Sequence, residues 1–93
     1  MREKELEHKL FNTVKEMGGL ALKFVSPGMD GMPDRIVLLP GGKIGFVEVK
    51  RQGLKYRPLQ LRRAEQLREL GFKMFLLDRV EQIGDVIREI QST

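Results

Sequence analysis

Leu6, Leu10, Phe11, Val14 and Met17 recur at the spacing of one helical face, so residues 2–17 read as an amphipathic helix that Gly18-Gly19 stops. Leu20–Val25 is a short apolar run of strand type, closed by Ser26-Pro27-Gly28, and a glycine-rich loop continues to Pro33. Two further strands follow, Asp34–Leu39 and residues 43–50, and Pro40-Gly41-Gly42 between them makes the pair an antiparallel hairpin. After a basic loop over 51–57, Pro58 opens a second helix. Leu59, Leu61, Ala64, Leu67 and Leu70 give this helix its apolar rhythm, and Gly71 ends it. Phe72–Leu77 is a fourth strand, apolar enough to be an interior one, and Val80, Ile83, Val86, Ile87 and Ile90 stripe a final helix. The order αβββαβα predicts one compact α/β domain over residues 1–93, a central mixed four-stranded sheet flanked by helices.

A chain of 93 residues builds one modest core, so a large substrate needs an open face or a second subunit. With no cysteine, disulfides and thiolate metal sites are excluded, and any metal must be held by oxygen or by the one imidazole, His8. No apolar run approaches the roughly 18 residues of a membrane span, and the charged N-terminus lacks the apolar core of a signal peptide. The chain reads as cytosolic, with no membrane partner.

The net charge of +4 is unevenly spread. Residues 50–63 contain Lys50, Arg51, Lys55, Arg57, Arg62 and Arg63 and no acid, leaving the rest of the chain at −2. A solvated face is the commoner meaning of such a run. Here it directly follows Glu48-Val49-Lys50, so a nucleic acid docked on it reaches the acidic residues.

Alternation along the third strand puts Glu48 and Lys50 on one face with Phe46 and Ile44, and Val47 and Val49 on the other. A two-residue turn at Gly41-Gly42 would set Asp34 opposite Val49, on the wrong face. A three-residue Pro-Gly-Gly turn with Gly42 left-handed instead sets Leu39 opposite Lys43, Ile36 opposite Phe46, and Asp34 opposite Glu48. Two facing carboxylates repel, and this raises one proton affinity unless a cation lies between them. An all-oxygen set of Asp34, Glu48 and the Val49 carbonyl suits Mg²⁺ or Mn²⁺, with Lys50 placed to orient a water or to stabilise developing charge. Taken alone, an arbitrary Glu-X-Lys is far more often an intrastrand ion pair. Glu7 lies at the edge of the first helix's apolar face, able to lean toward the sheet, whereas Glu3 and Glu5 read as solvated complements of the helix dipole. Gln60 in the first turn of the second helix can serve the site or only the loop backbone, and His8 reads as a surface residue.

These residues resemble the PD-(D/E)XK nuclease superfamily, with Pro33-Asp34 and Glu48-Val49-Lys50 as the two halves of its signature. More narrowly the chain resembles a VRR-NUC domain, from the helix bearing Glu7 through Gly31-Met32-Pro33-Asp34-Arg35 and Pro40-Gly41-Gly42 to Gln60. The resemblance implies a restriction-endonuclease-like fold with Asp34 and Glu48 as metal ligands, Lys50 as catalytic lysine, Glu7 as an accessory acid and Gln60 as a supporting residue. It is closest in length to the stand-alone members found in phages and bacteria, which are associated with homodimers acting on branched DNA, including four-way (Holliday) junctions. The expected activity is therefore a Mg²⁺- or Mn²⁺-dependent endodeoxyribonuclease in DNA repair or processing. Alternatives are a flap, nicking or single-strand nuclease targeted by a partner, and a non-catalytic DNA-binding module on a nuclease fold. The stripe of the final helix offers two readings, a dimer seam or simply the side facing the core.

Overall fold

The computed structural model describes residues 1–92 and has the anticipated αβββαβα order: α1 (Glu3–Glu16), β1 (Leu20–Lys23), β2 (Arg35–Leu39), β3 (Lys43–Val49), α2 (Pro58–Glu69), β4 (Lys73–Leu77), a 3₁₀ turn (Val80–Gln82) and α3 (Ile83–Gln91). The sheet runs β1-β2-β3-β4, antiparallel except for the parallel β3–β4 pair that α2 crosses over to make. Among the described residues no helix is long and apolar enough to cross a membrane.

The hairpin closes as the turn chemistry predicts. Leu39 pairs with Lys43 and Ile36 with Phe46, and Gly42 is left-handed as expected, whereas the positive φ of Gly41 was not anticipated. Extending this register by one residue from the Arg35–Val47 pair sets Asp34 opposite Glu48. The Asp34 carbonyl accepts the Phe24 N–H at 2.7 Å, so the ladder to β1 continues into this residue although β2 begins at Arg35.

Two layers cover the sheet. On one face, Leu6, Leu10 and Val14 of α1 and Ile83, Val86, Ile87 and Ile90 of α3 pack on Ala21, Val37, Leu39, Val47, Val49 and Leu77. Gly45 permits that approach, since a Cβ there would lie 2.6 Å from the Ile90 side chain. On the other face, Ala64 and Leu67 of α2 meet Phe46 and Met74, with Phe24 and Phe72 each edge-on to Phe46 at 5.7 Å between ring centres.

Four expectations are corrected. β4 is an edge strand, not an interior one. It is apolar because helices lie on both its faces, with Met74 under α2 and Leu77 among the residues packed with α1 and α3. The α3 stripe is buried inside the chain, so its seam reading fails and its core-facing reading holds. The buried positions of α2 are Gln60, Ala64 and Leu67, whereas Leu61 and Leu70 are exposed. A count of apolar residues alone rotates that face, because one of its inward positions is a glutamine. Phe11 and Met17, at the margins of the α1 stripe, are likewise exposed.

Candidate active site at the end of the central hairpin

Glu48 is the penultimate residue of β3, and its side chain is aimed at α2 by strand alternation. It is buried, with 3% of its surface exposed. Oε2 accepts the Gln60 amide N–H at 2.9 Å and lies 3.5 Å from the Lys50 ammonium, while Oε1 is buried without a hydrogen-bond partner. Such an orphan oxygen is costly unless something binds it.

Gln60 is held at both ends. Its Oε1 accepts the Arg57 backbone N–H at 2.9 Å, closing the first turn of α2 from the N3 position, so its NH₂ is left to face Glu48. One amide thus caps a helix and holds a carboxylate, so the loop-backbone role of Gln60 is present and its other end is bonded to Glu48.

Asp34 enters from the other strand of the hairpin. Its Oδ2 accepts the Val49 N–H at 3.0 Å, so a side chain occupies the place where a backbone carbonyl would continue the ladder. The residue across from Val49 in this register is Pro33, which has no N–H to give the Val49 carbonyl. By strand geometry that carbonyl is turned to the same side as the Val49 N–H, toward β2.

The electrostatics follow from this crowding. Burial pushes the Glu48 carboxyl up to about 7, the Asp34 charge adds to the rise, and Lys50 opposes it. Asp34 is also raised, first by burial and further by the charges of Glu7 and Glu3, against the Val49 hydrogen bond and Lys50. A divalent cation fits this donor set: two hard carboxylates, one with a free buried oxygen, and a nearby carbonyl. Among the described residues no three His, Cys, Asp or Glu side chains converge on one point, so most of the coordination sphere would be water and substrate.

The remaining anticipated residues lie around this pair. Glu7 leans toward the sheet as expected, but its carboxylate is engaged at 3.2 Å by Arg35, the first residue of β2. Arg35 was not singled out from sequence, although its place next to Asp34 and the alternation of the strand put it on the α1 side. Glu3, read as a solvated dipole partner, accepts the Arg51 N–H at 3.2 Å and contributes to the field on Asp34. Asp78, just after β4, takes the Gly53 N–H at 3.2 Å. The basic loop is thereby tied at two points while Arg51, Lys55 and Arg57 stay exposed beside the site. Arg62 is exposed on α2. Arg63 donates to the Asp30 carbonyl and to Gln66, both at 2.9 Å, fastening the glycine-rich loop to the helix. His8 is exposed, as anticipated. It lines a hollow of about 690 Å³ with Arg2, Lys4, Glu7 and Arg35 on the α1 flank.

No family model matches the sequence. A protein of Acyrthosiphon pisum secondary endosymbiont phage 1, named "Putative nuclease p44", is 50% identical over 78 residues, which is 84% of this chain and 84% of that protein. A solved structure described as "VRR_NUC domain" superposes with a TM-score of 0.86 at 34% identity, covering 92% of this chain and 94% of that one. Sequence likeness and superposition each cover more than four fifths of the chain, and the chain belongs to the VRR-NUC family of nucleases.

Proposed function

We propose that residues 1–93 form one nuclease domain that hydrolyses phosphodiester bonds in branched DNA, with four-way junctions as the substrate and a homodimer as the active form. The observation that carries the nuclease chemistry is the buried Glu48 carboxylate, with Oε1 unpartnered and Oε2 flanked by Lys50 and Gln60, opposite Asp34. Asp34, Glu48 and the Val49 carbonyl would hold Mg²⁺ or Mn²⁺. Such an ion polarises a phosphoryl oxygen and lowers the pKa of water at the site.

The chain's own groups do the rest. Lys50, beside Glu48 on the same strand face, stabilises the charge that gathers on the phosphoryl oxygens and orients the attacking water. Gln60 is a positioning residue, fixing Glu48 through an amide whose other end is locked to the helix. Glu7 strengthens the negative field at Asp34 and holds Arg35 in place. Arg51, Lys55, Arg57 and Arg62 supply phosphate contacts that are independent of sequence, and Arg63 supports the loop beside them.

A symmetric junction needs two incisions, and a twofold dimer supplies two sites from one gene product. Labelled four-way junction, linear duplex, single strand and flap should be incubated with Mg²⁺, Mn²⁺ or chelator, using wild type and Glu48→Ala. Metal-dependent paired cuts confined to the junction, and lost in the variant, are expected. Preferential flap or single-strand cleavage would retain the nuclease and remove the junction, and binding without cleavage in either metal would remove both.

A further inference from the structure

The two edges of the sheet are protected unequally. At β4, the Lys73 ammonium donates to the Glu89 carbonyl and to Ser92 Oγ, so the end of α3 is fastened to the strand's beginning, and the charged pair Asp78-Arg79 follows its end. At β1 there is no proline and no charge except Lys23 at its last position. From Met17 to Met29, thirteen residues, Lys23 is the only charged residue, in a chain that is 32% charged. Exposed apolar side chains gather at this edge: Leu20 at 53% and Leu22 at 42% on the α2 side, with Met17 before the strand and Val25 after it. Together they expose on the order of a few hundred Å² per copy, the scale of a functional patch and a sizeable share of the roughly 800 Å² that one partner contributes to a standard interface.

The backbone of β1 is equally open. The Phe24 N–H donates to Asp34, so Phe24, Leu22 and Leu20 direct their main-chain groups toward β2, and Ala21 and Lys23 direct theirs outward. The geometry points to a second copy of this chain pairing here, β1 antiparallel to β1 about a twofold axis through Ala21, so that two four-stranded sheets become one of eight strands. In that register the two Ala21 residues exchange N–H···O=C bonds, and Lys23 donates its N–H to the partner's Gly19. Leu20 stands opposite the partner's Leu22 on the α2 side, closing an apolar seam twice over. Lys23 faces a glycine, so no like charges meet. The alternative register centred on Leu22 would leave the outward groups of Ala21 and Lys23 facing each other across the seam, but would set Leu22 against itself and Lys23 against Ala21. It lacks the two leucine pairs.

This inference rests on the dimeric reading above for its occupant and adds the surface. Sedimentation equilibrium of the full chain should show a dimer. Leu22→Glu should weaken association by roughly thirtyfold or more with an unchanged circular dichroism spectrum. Lys23→Pro, which removes an outward N–H and leaves the bonds to β2 intact, should do the same. In this cysteine-free chain, Leu20→Cys with Leu22→Cys should oxidise to a covalent dimer, because directly opposed residues that are not hydrogen-bonded come within disulfide range. Leu70→Cys, exposed just after α2, is the control that should not. A wild-type dimer that survives both edge substitutions and does not cross-link through β1 overturns this surface and leaves the paired-site reading standing. A monomeric wild type overturns both.

Discussion

Among the described residues, thirteen buried apolar side chains fill the layer between α1, α3 and the sheet, whereas four fill the layer under α2, where Glu48 and Gln60 are also buried. The first layer holds the strands in place. The second gives up apolar packing to bury a carboxylate that no structural need explains. A buried acid with an unpartnered oxygen destabilises an apo fold, and it persists where a ligand or substrate completes it. Stability and chemistry are therefore divided between the two faces of a single sheet, and substitutions should separate them.

The largest separation is expected at the site itself. Glu48→Ala and Lys50→Ala should each lower cleavage by roughly a thousandfold or more, with DNA affinity retained in a gel-shift or anisotropy assay. Equal loss of binding and cleavage would erase the division between faces. On the opposite layer, Leu10→Ala should cost about 3 kcal/mol in denaturant unfolding while activity per folded molecule is kept, since Leu10 is fully buried on the face of the sheet away from the Glu48 side chain.

Glu48 also ties stability to pH. Its folded carboxyl binds a proton more tightly than the unfolded one, so its contribution favours folding below pH 4.5 and is lost as the pH rises through about 7. Wild type should lose up to about 3 kcal/mol across that window relative to Glu48→Gln. Above pH 7, Mg²⁺ or Mn²⁺ should raise the melting temperature of wild type and not of the variant. Parallel pH curves for the two proteins would count against a raised Glu48.

Gln60→Ala should reduce activity by roughly tenfold to a hundredfold through the loosened carboxylate, the usual effect of removing a group that orients a metal ligand. Gln60→Glu, which keeps the cap and loses the amide donor to Glu48, should be no better than alanine if orientation of Glu48 is the amide's role. The smallest effect is expected at the exposed rim. Arg57→Ala should weaken DNA binding about equally across sequences and lower the salt-dependence slope by about one. The same change at Arg63 should act through the Asp30 loop instead, lowering thermal stability with little change in that slope.

Much of this molecule was legible one segment at a time. The helices and strands follow from apolar spacing, and the hairpin register follows from Pro40-Gly41-Gly42, because turn geometry is local and a one-residue slip would send Glu48 to the wrong face. That register alone brings Asp34 across from Glu48 and sets Lys50 beside it. Residues whose partners are distant in sequence were not legible in this way. Glu3 meets Arg51, Glu7 meets Arg35, and Gln60 turns inward on a helix whose leucines suggested another face. The apolar residues of β4 said that it is covered without saying by what, and the α3 stripe fits a dimer seam as well as a core until α1 and the sheet are seen to cover it. Sequence determines what each segment can bury and how neighbouring strands align, since those depend on side-chain period and backbone torsion. Which surfaces meet, and so which carboxylate is desolvated and which strand edge is left open, is decided only when the layers close on one another.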